Sequence, residues 1–377
     1  MTAPRTLPPF ASDNYAPAHP EVLAAVAAAN DGYAVAYGDD PWTARLDARV
    51  REVFGAGALA FPVLNGTGAN VVSLTALSPR WGGVVVSDVA HVNTDENGAP
   101  ERVGGLKLLA CPSVDGRITP DDVARWAGQR DDVHRAHPAV LSLTQSTELG
   151  TVYALDDLRA LTHVAHDLGM AVHVDGSRLA NAAAALGCSL RALTTDAGVD
   201  VVSLGAAKNG GMLGEAVLVL GPDDAPDAAS ARAREAASAA VPFLRKATMQ
   251  LASKTRFVSA QLLALLGEAG DTAGDTEPLW HRNAAQANAM ADRLRAGLEA
   301  LPGSDDDGVR VTRPTEANAV FATLPRDAAD RLRAVARFYD WAGGETPGRV
   351  EVRLMCAWDT TPETVDAFVA AAADALA

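Results

Sequence analysis

Lysine is scarce in this chain. Its 377 residues include four, Lys107, Lys208, Lys246 and Lys254. Arginine therefore carries most of the positive surface charge, and a lysine inside a glycine-rich stretch is poorly explained as solubilising charge. Positive charge is short altogether: Lys and Arg number 32 against 47 Asp and Glu, a net of −15, with a pI near 4.9. That balance argues against nucleic acid or an anionic membrane as partner, because phosphate backbones need a basic face. No apolar run approaches the roughly 20 residues of a membrane span. The opening MTAPRTLPPF has no apolar core of a secretory signal. Cysteine is rare too. Cys111, Cys188 and Cys356 are odd in number and far apart, which suits neither a disulfide framework nor a metal spacing and fits the reduced cytoplasm. Cys188 and Cys356 read as small core hydrophobes. No internal repeat is visible.

What the chain has is alanine-rich apolar sequence, 48% hydrophobic, enough for a large core. Residues 1–19 read as an extended arm rich in proline. Pro20 opens a helix ending near Gly32, with the proline-first, glycine-last punctuation of helices. A turn at 37–41 precedes a helix over 42–53. Strands are expected at 59–64, 84–86, 107–110, 139–143, 171–174, 201–204 and 215–220. Helices fall between them at 69–77, from Thr119 to before Asp131, and at 155–168. This alternation predicts an α/β domain with a mostly parallel, two-sided sheet. Further on, 223–240 reads as a loop leading into a helix, 241–270 as a long helix or helix pair, 267–277 as flexible by composition, and 280–301 as a helix. Short strands at 309–312, 319–324 and 350–355 predict a smaller α+β domain, and Asp305 to Asp307 a solvated loop. The domain reading is an arm at 1–19, a large domain at 20–245 and a small one at 246–377, joined by a linker helix at about 246–270.

In such sheets ligands sit at the carboxyl ends of the strands. Asn65, Gly66, Thr67, His91, Gln145, Asp175 and Lys208 all fall there. Gly66-Thr67-Gly68 lies between a strand and a helix start, where backbone N–H groups and the helix dipole favour an anion. Asp175 ends one apolar strand, and Lys208 follows the next inside a glycine-rich loop. A carboxylate and a lysine so disposed suit pyridoxal 5'-phosphate (PLP). The lysine forms a Schiff base, and the acid keeps the pyridine nitrogen protonated so that the ring accepts electrons. The plain alternative is an Asp in a turn and a surface Lys.

The motifs SDN (12–14), AYGDDPWT (36–43), NGTGAN (65–70), AHVN (90–93), HVDGSRL (173–179), AKNGG (207–211) and EVRLMCAWD (351–359) resemble those of low-specificity L-threonine aldolases. These are PLP-dependent enzymes of the aspartate-aminotransferase fold type, fold type I. The resemblance spans about 10–370. It implies that Lys208 carries the cofactor, Asp175 faces its ring nitrogen, and Gly66, Thr67 and Gly68 hold its phosphate. It implies that His91 stacks on the ring, that Arg178 lies near cofactor and substrate carboxylate, and that Ser12 and Arg353 hold that carboxylate. His134 matches a histidine near the substrate hydroxyl, Arg256 a basic residue reaching a phosphate across a subunit interface, and Tyr37 is a further candidate for the site. Ala207 departs from the pattern, which has Ser or Thr before the lysine; Ser203 is a candidate substitute for the missing hydroxyl.

The implied reaction cleaves the Cα–Cβ bond of L-threonine or L-allo-threonine to glycine and an aldehyde. His91 and His134 are the candidate catalytic bases, since imidazole titrates near neutrality. The bland readings are a packing ring for His91 and a surface loop residue for His134. The resemblance also implies a homodimer or tetramer with sites at subunit interfaces. Two other readings stand beside it. One is another PLP-dependent lyase, either a phenylserine-type aldolase or a β-eliminating enzyme. The other is a catalytically silent scaffold of the same fold.

Overall fold

A computed structural model describes residues 7–267, 277–303, 308–343 and 347–377. The expected flexible stretch at 267–277 falls, from 268 to 276, outside the described residues. So does the acidic loop 305–307.

Seven strands form the main sheet: β1 (Leu59–Val63), β2 (Gly82–Ser87), β3 (Lys107–Cys111), β4 (His137–Thr144), β5 (Ala171–Gly176), β6 (Val201–Leu204) and β7 (Glu215–Val219). Their order is β1-β7-β6-β5-β4-β2-β3. Pairings from β6 through β3 are parallel. The connection from β6 to β7 is too short for a crossover, which takes about a dozen residues or more, and β7 runs antiparallel to both neighbours. β1 therefore points the same way as β6, and its carboxyl end joins the edge where β2, β4, β5 and β6 also end.

Apolar residues alternate across this sheet because successive side chains face opposite sides. Val84 and Val86 pack on one face, with Leu74 of the helix Gly66–Leu77. Val85, Leu141, Val172 and Val202 pack on the other, with Leu46, Phe54, Leu158 and Leu161. Both faces are covered, as a parallel sheet requires. The helix Arg256–Leu266 also belongs here: Val258, Leu262, Leu265 and Leu266 enter the second of these cores. Of the two readings of 241–270, a long helix or a helix pair, the structure shows the pair, Ala228–Ala247 and Arg256–Leu266, separated by a loop.

A second sheet is antiparallel: β8 (Arg310–Val311), β9 (Ala319–Pro325), β10 (Tyr339–Gly343) and β11 (Arg349–Met355), in the order β10-β11-β9-β8. β10 was not among the expected strands. This sheet packs Val320, Val352 and Leu354 against Leu294 and Phe368 of two flanking helices. Phe10 completes the core. From Leu7 onward the arm is consequently tied down. Leu7 and Phe10 donate backbone hydrogen bonds to Val335 and Arg337, and Met355 donates to the Phe10 carbonyl at 2.8 Å.

Candidate active site

Two loops cross at the carboxyl edge of β5 and β6. A Cβ on Gly205 would sit 2.4 Å from the Ser177 carbonyl oxygen, so only glycine lets the chain after β6 pass the turn after β5. Three residues on, Lys208 lies in a single 3-10 turn, Ala207–Asn209. Asp175 is the penultimate residue of β5 and is 2% exposed. The crossing brings the lysine charge close enough to act on the aspartate. Burial pushes the Asp175 carboxyl up; Lys208, Ser177 and Asn70 outweigh that and hold it below the ordinary range. Asp175 accepts Ser177 N–H and Oγ–H at 3.0 and 2.8 Å and Asn70 Nδ2–H at 2.9 Å.

Lys208 borders a cleft with two compartments. The inner one, about 290 Å³, is walled by Gly66, Thr67, Asn70, His91, Ser177 and Lys208, among others. The helix at its mouth starts earlier than its sequence suggests, at Gly66 rather than 69. Asn65 is the cap: its Oδ1 accepts Gly68 N–H at 2.7 Å and its carbonyl accepts Ala69 N–H at 3.0 Å. The glycine triplet is therefore the first helical turn itself. Gly66 and Thr67 keep the N–H groups that a first turn leaves unpaired, and both face the cavity. A Cβ on Gly66 would meet only Ser177 Oγ, at 3.8 Å, so the space before it is open.

His91 stands across this compartment. Its Nδ1 lies 2.8 Å from Glu96 Oε1, and that bond raises the imidazole pKa against the opposing effect of burial, with Glu148, Glu96 and Asp175 adding charge. Asn70 Nδ2 donates to the same Glu96 oxygen at 2.8 Å. Asn70 Oδ1 and Glu96 Oε2 are buried with no partner. Glu215, at the start of β7, reaches under the lysine turn and accepts the N–H groups of Ala206 and Ala207. Burial pushes its carboxyl up to about 7.

The outer compartment, about 300 Å³, shares His91 and Lys208 with the inner one and adds Ser12, Glu148, Arg178, Trp341 and Arg353. Arg178 is 6% exposed, and its fork is engaged: Nε and Nη2 bind Asp13 at 2.7 and 3.0 Å, and Nη1 lies 4.0 Å from Glu148. Burial works against ionisation of Asp13, yet Arg178 holds it at about 2. Arg353 differs. It lies over the Trp341 ring at 4.6 Å. Its Nη2 makes one long contact, 3.5 Å to the Ala11 carbonyl, and its buried Nε has no partner. Burial and the neighbouring Arg178 both lower its pKa. A guanidinium in that condition calls for an anionic group from the cleft.

Four expected site residues are not brought here. Gly68 does not line the cavity: its N–H goes to Asn65, and its Cα side is filled by the Gln250 side chain. His134 sits exposed on the turn before β4, at the amino end of the sheet, its N–H on Asp132. Arg256 donates to the Gly32 carbonyl at 3.2 Å. Tyr37 is half exposed beneath Lys246. Ser203 does not supply the hydroxyl that Ala207 lacks. It is buried, with His173 Nε2 at 2.9 Å and Ser73 Oγ at 3.3 Å. Sequence reasoning missed Asp13, Asn70, Glu96 and Glu148 as site residues. Asn70 and Asp13 had a signal, as the last residue of NGTGAN and the middle one of SDN; Glu96 and Glu148 had none.

The family model described as "Beta-eliminating lyase" matches residues 9–325. The chain belongs to the beta-eliminating lyase family. It is similar to the low specificity L-threonine aldolase of Pseudomonas aeruginosa, 42% identical over 358 residues, 94% of this chain and 94% of that one. The enzyme of the same name from a Pseudomonas species is 39% identical, covering 93% of each. Among solved structures, the threonine aldolase of Leishmania major superposes with a TM-score of 0.85 at 25% identity, over 98% of this chain and 99% of that one. The fold is that of PLP-dependent fold type I enzymes, and as a member of this family the protein is a PLP-dependent lyase. The inner compartment fits that cofactor: unpaired first-turn N–H groups for a phosphate, an ionised buried Asp175, and unpartnered acceptors on Asn70 and Glu96.

Proposed function

We propose that the protein cleaves the Cα–Cβ bond of L-threonine or L-allo-threonine to give glycine and acetaldehyde. The observation that carries this reading is the shared wall. His91 and Lys208 border both the cofactor compartment and the compartment where Arg353 has donors to spare. Bound in the inner compartment, PLP supplies an electron sink for the pair left on Cα when the bond to Cβ breaks.

The chain's own residues would do the rest. Gly66 and Thr67 N–H groups, with Gly68 shaping the turn, hold the phosphate. Asp175, kept ionised, holds the ring nitrogen, and Lys208 is the covalent attachment. Arg353, with Ser12 beside it, grips the substrate carboxylate in a bidentate fork. Arg178, braced by Asp13, lends charge rather than a free fork. Glu96, an acceptor, fixes the proton on His91 Nδ1 and leaves Nε2 to take the β-hydroxyl proton, the imidazolium then being stabilised by the same carboxylate.

The same reading extends to assembly. Met212 and Leu213 border the inner compartment yet are half exposed, and Tyr33, Phe243 and Met249 are exposed as well. This supports a homodimer or tetramer with the cleft at a subunit interface. A second copy is the route by which His134, Arg256 or Tyr37 could reach a cleft. The division into an arm at 1–19, a large domain at 20–245 and a small one at 246–377 belongs to the proposal, with the helix Arg256–Leu266 packed on the large one, as does a cytoplasmic location. No described helix is long and apolar enough to cross a membrane.

Incubating the purified protein with L-threonine, L-phenylserine and β-substituted alanines tests the reaction. The aldolase reading expects glycine with an equal amount of aldehyde. Ammonia and a 2-oxo acid instead would make it a β-eliminating enzyme, and colourless protein with no PLP uptake a scaffold.

A further inference from the structure

The Asn70 amide nitrogen has two hydrogens and spends both on carboxylates. One goes to Asp175 Oδ2 at 2.9 Å and the other to Glu96 Oε1 at 2.8 Å. The amide orientation is thereby fixed, since its oxygen cannot face two acceptors. Asn70 is 1% exposed, Glu96 5% and Asp175 2%, so both bonds are made between buried groups. The three residues come from different elements: a buried position of the helix Gly66–Leu77, the loop after His91, and the end of β5. Among the described residues no other side chain hydrogen-bonds to both Asp175 and Glu96, the carboxylate behind His91.

We propose that Asn70 is a positioning residue that ties the two proton-handling ends of the cofactor site together, holding Asp175 and Glu96 with a single amide. The proposal rests on the reading of the inner compartment as the PLP site. Without the amide, Asp175 keeps its Ser177 donors and Lys208 but loses one bond that stabilises its charge. Glu96 loses the anchor that keeps its Oε1 against His91 and is free to turn away. His91 then loses its first support for carrying charge, with Glu148 and Asp175 remaining near it.

Asn70→Leu removes both donors at nearly constant shape. On the apo protein, the His91 titration followed by NMR is expected to fall by about half a unit or more, with surface His163 and His281 unmoved as internal controls. The PLP dissociation constant is expected to rise roughly tenfold, the worth of one hydrogen bond to a charged group. In a double-mutant cycle with Glu96→Gln, the two changes to the His91 midpoint are expected to be non-additive. Should the leucine variant not fold, Asn70→Ser, too short to span both carboxylates, is read in the same way. A His91 midpoint and a PLP affinity both unchanged overturn the proposal. So does a loss of affinity with the His91 midpoint unmoved, since that leaves the ends unlinked. Failure of the PLP reading is a separate result: the unmutated protein would then take up no PLP, while the NMR titration would still report on the amide.

Discussion

Gly205 and Ser177 touch backbone to backbone, and this contact governs how closely the Lys208 turn approaches Asp175, the two groups proposed to serve the cofactor. A Cβ at 205 would lie 2.4 Å from the Ser177 carbonyl oxygen and 2.7 Å from its Cα, and backbone cannot yield as a flexible side chain would. Gly205→Ala is therefore expected to push the lysine turn away from β5. PLP uptake should drop at least tenfold while the far-ultraviolet circular dichroism stays native. Unchanged uptake would mean that the loops move apart without consequence.

The Asp13–Arg178 pair gives stability a defined pH window. Asp13 falls from an ordinary 3.8 to about 2 in the fold. A depressed carboxyl contributes its stability above the unfolded value and loses it as pH falls through the folded one. The window is thus from about pH 4 down to about 2, and the contribution is about 2 kcal/mol. Thermal unfolding of the apo protein across that range should show the loss. Asp13→Asn should flatten it, while lowering stability at neutral pH because buried Arg178 loses its nearest counter-charge and keeps only Glu148 at 4.0 Å.

Arg353 should act on substrate and not on cofactor. Arg353→Ala is expected to raise KM for threonine roughly 10- to 100-fold, as the loss of a charge-assisted fork implies, with the PLP absorption spectrum intact. Arg353→Lys should recover only part, since one ammonium cannot make a bidentate contact. Kinetics with saturating PLP distinguish this from a loss of cofactor.

His91 should govern turnover. Its raised pKa and Glu96 bond predict that His91→Asn lowers kcat about 100-fold or more, and that Glu96→Gln moves the acidic limb of the rate profile to lower pH, since the imidazole then releases its proton earlier. An acidic limb left in place by Glu96→Gln would remove Glu96 from this account.

The sheet was legible because its strands are short apolar runs bounded by glycine and aspartate, and because function gathers where such strands end. Asp175, Lys208, Thr67, His91, Ser12 and Arg353 all line or lie behind one cleft. Other features depend on contacts between distant segments, which local pattern does not carry. Asp13 meets Arg178 across 165 positions, and the Phe10 arm docks on the second sheet. Asn65 starts its helix at a glycine that propensity alone assigns to a loop. Ser203 looked available until His173 and Ser73 took its hydroxyl. His134 lies at the wrong end of β4 for one chain, since sequence spacing to a strand does not say which end faces the site. β10 escaped notice because Tyr339–Gly343 has no apolar run.

Of the four lysines, Lys208 alone is proposed to carry the cofactor, opposite Asp175. Borohydride reduction of the PLP-loaded protein, followed by peptide mapping by mass spectrometry, tests it directly. A pyridoxyl group is expected on the peptide containing Lys208 and none on peptides containing Lys107, Lys246 or Lys254. A label on one of those three, or a loaded protein that reduction leaves unlabelled, would contradict it.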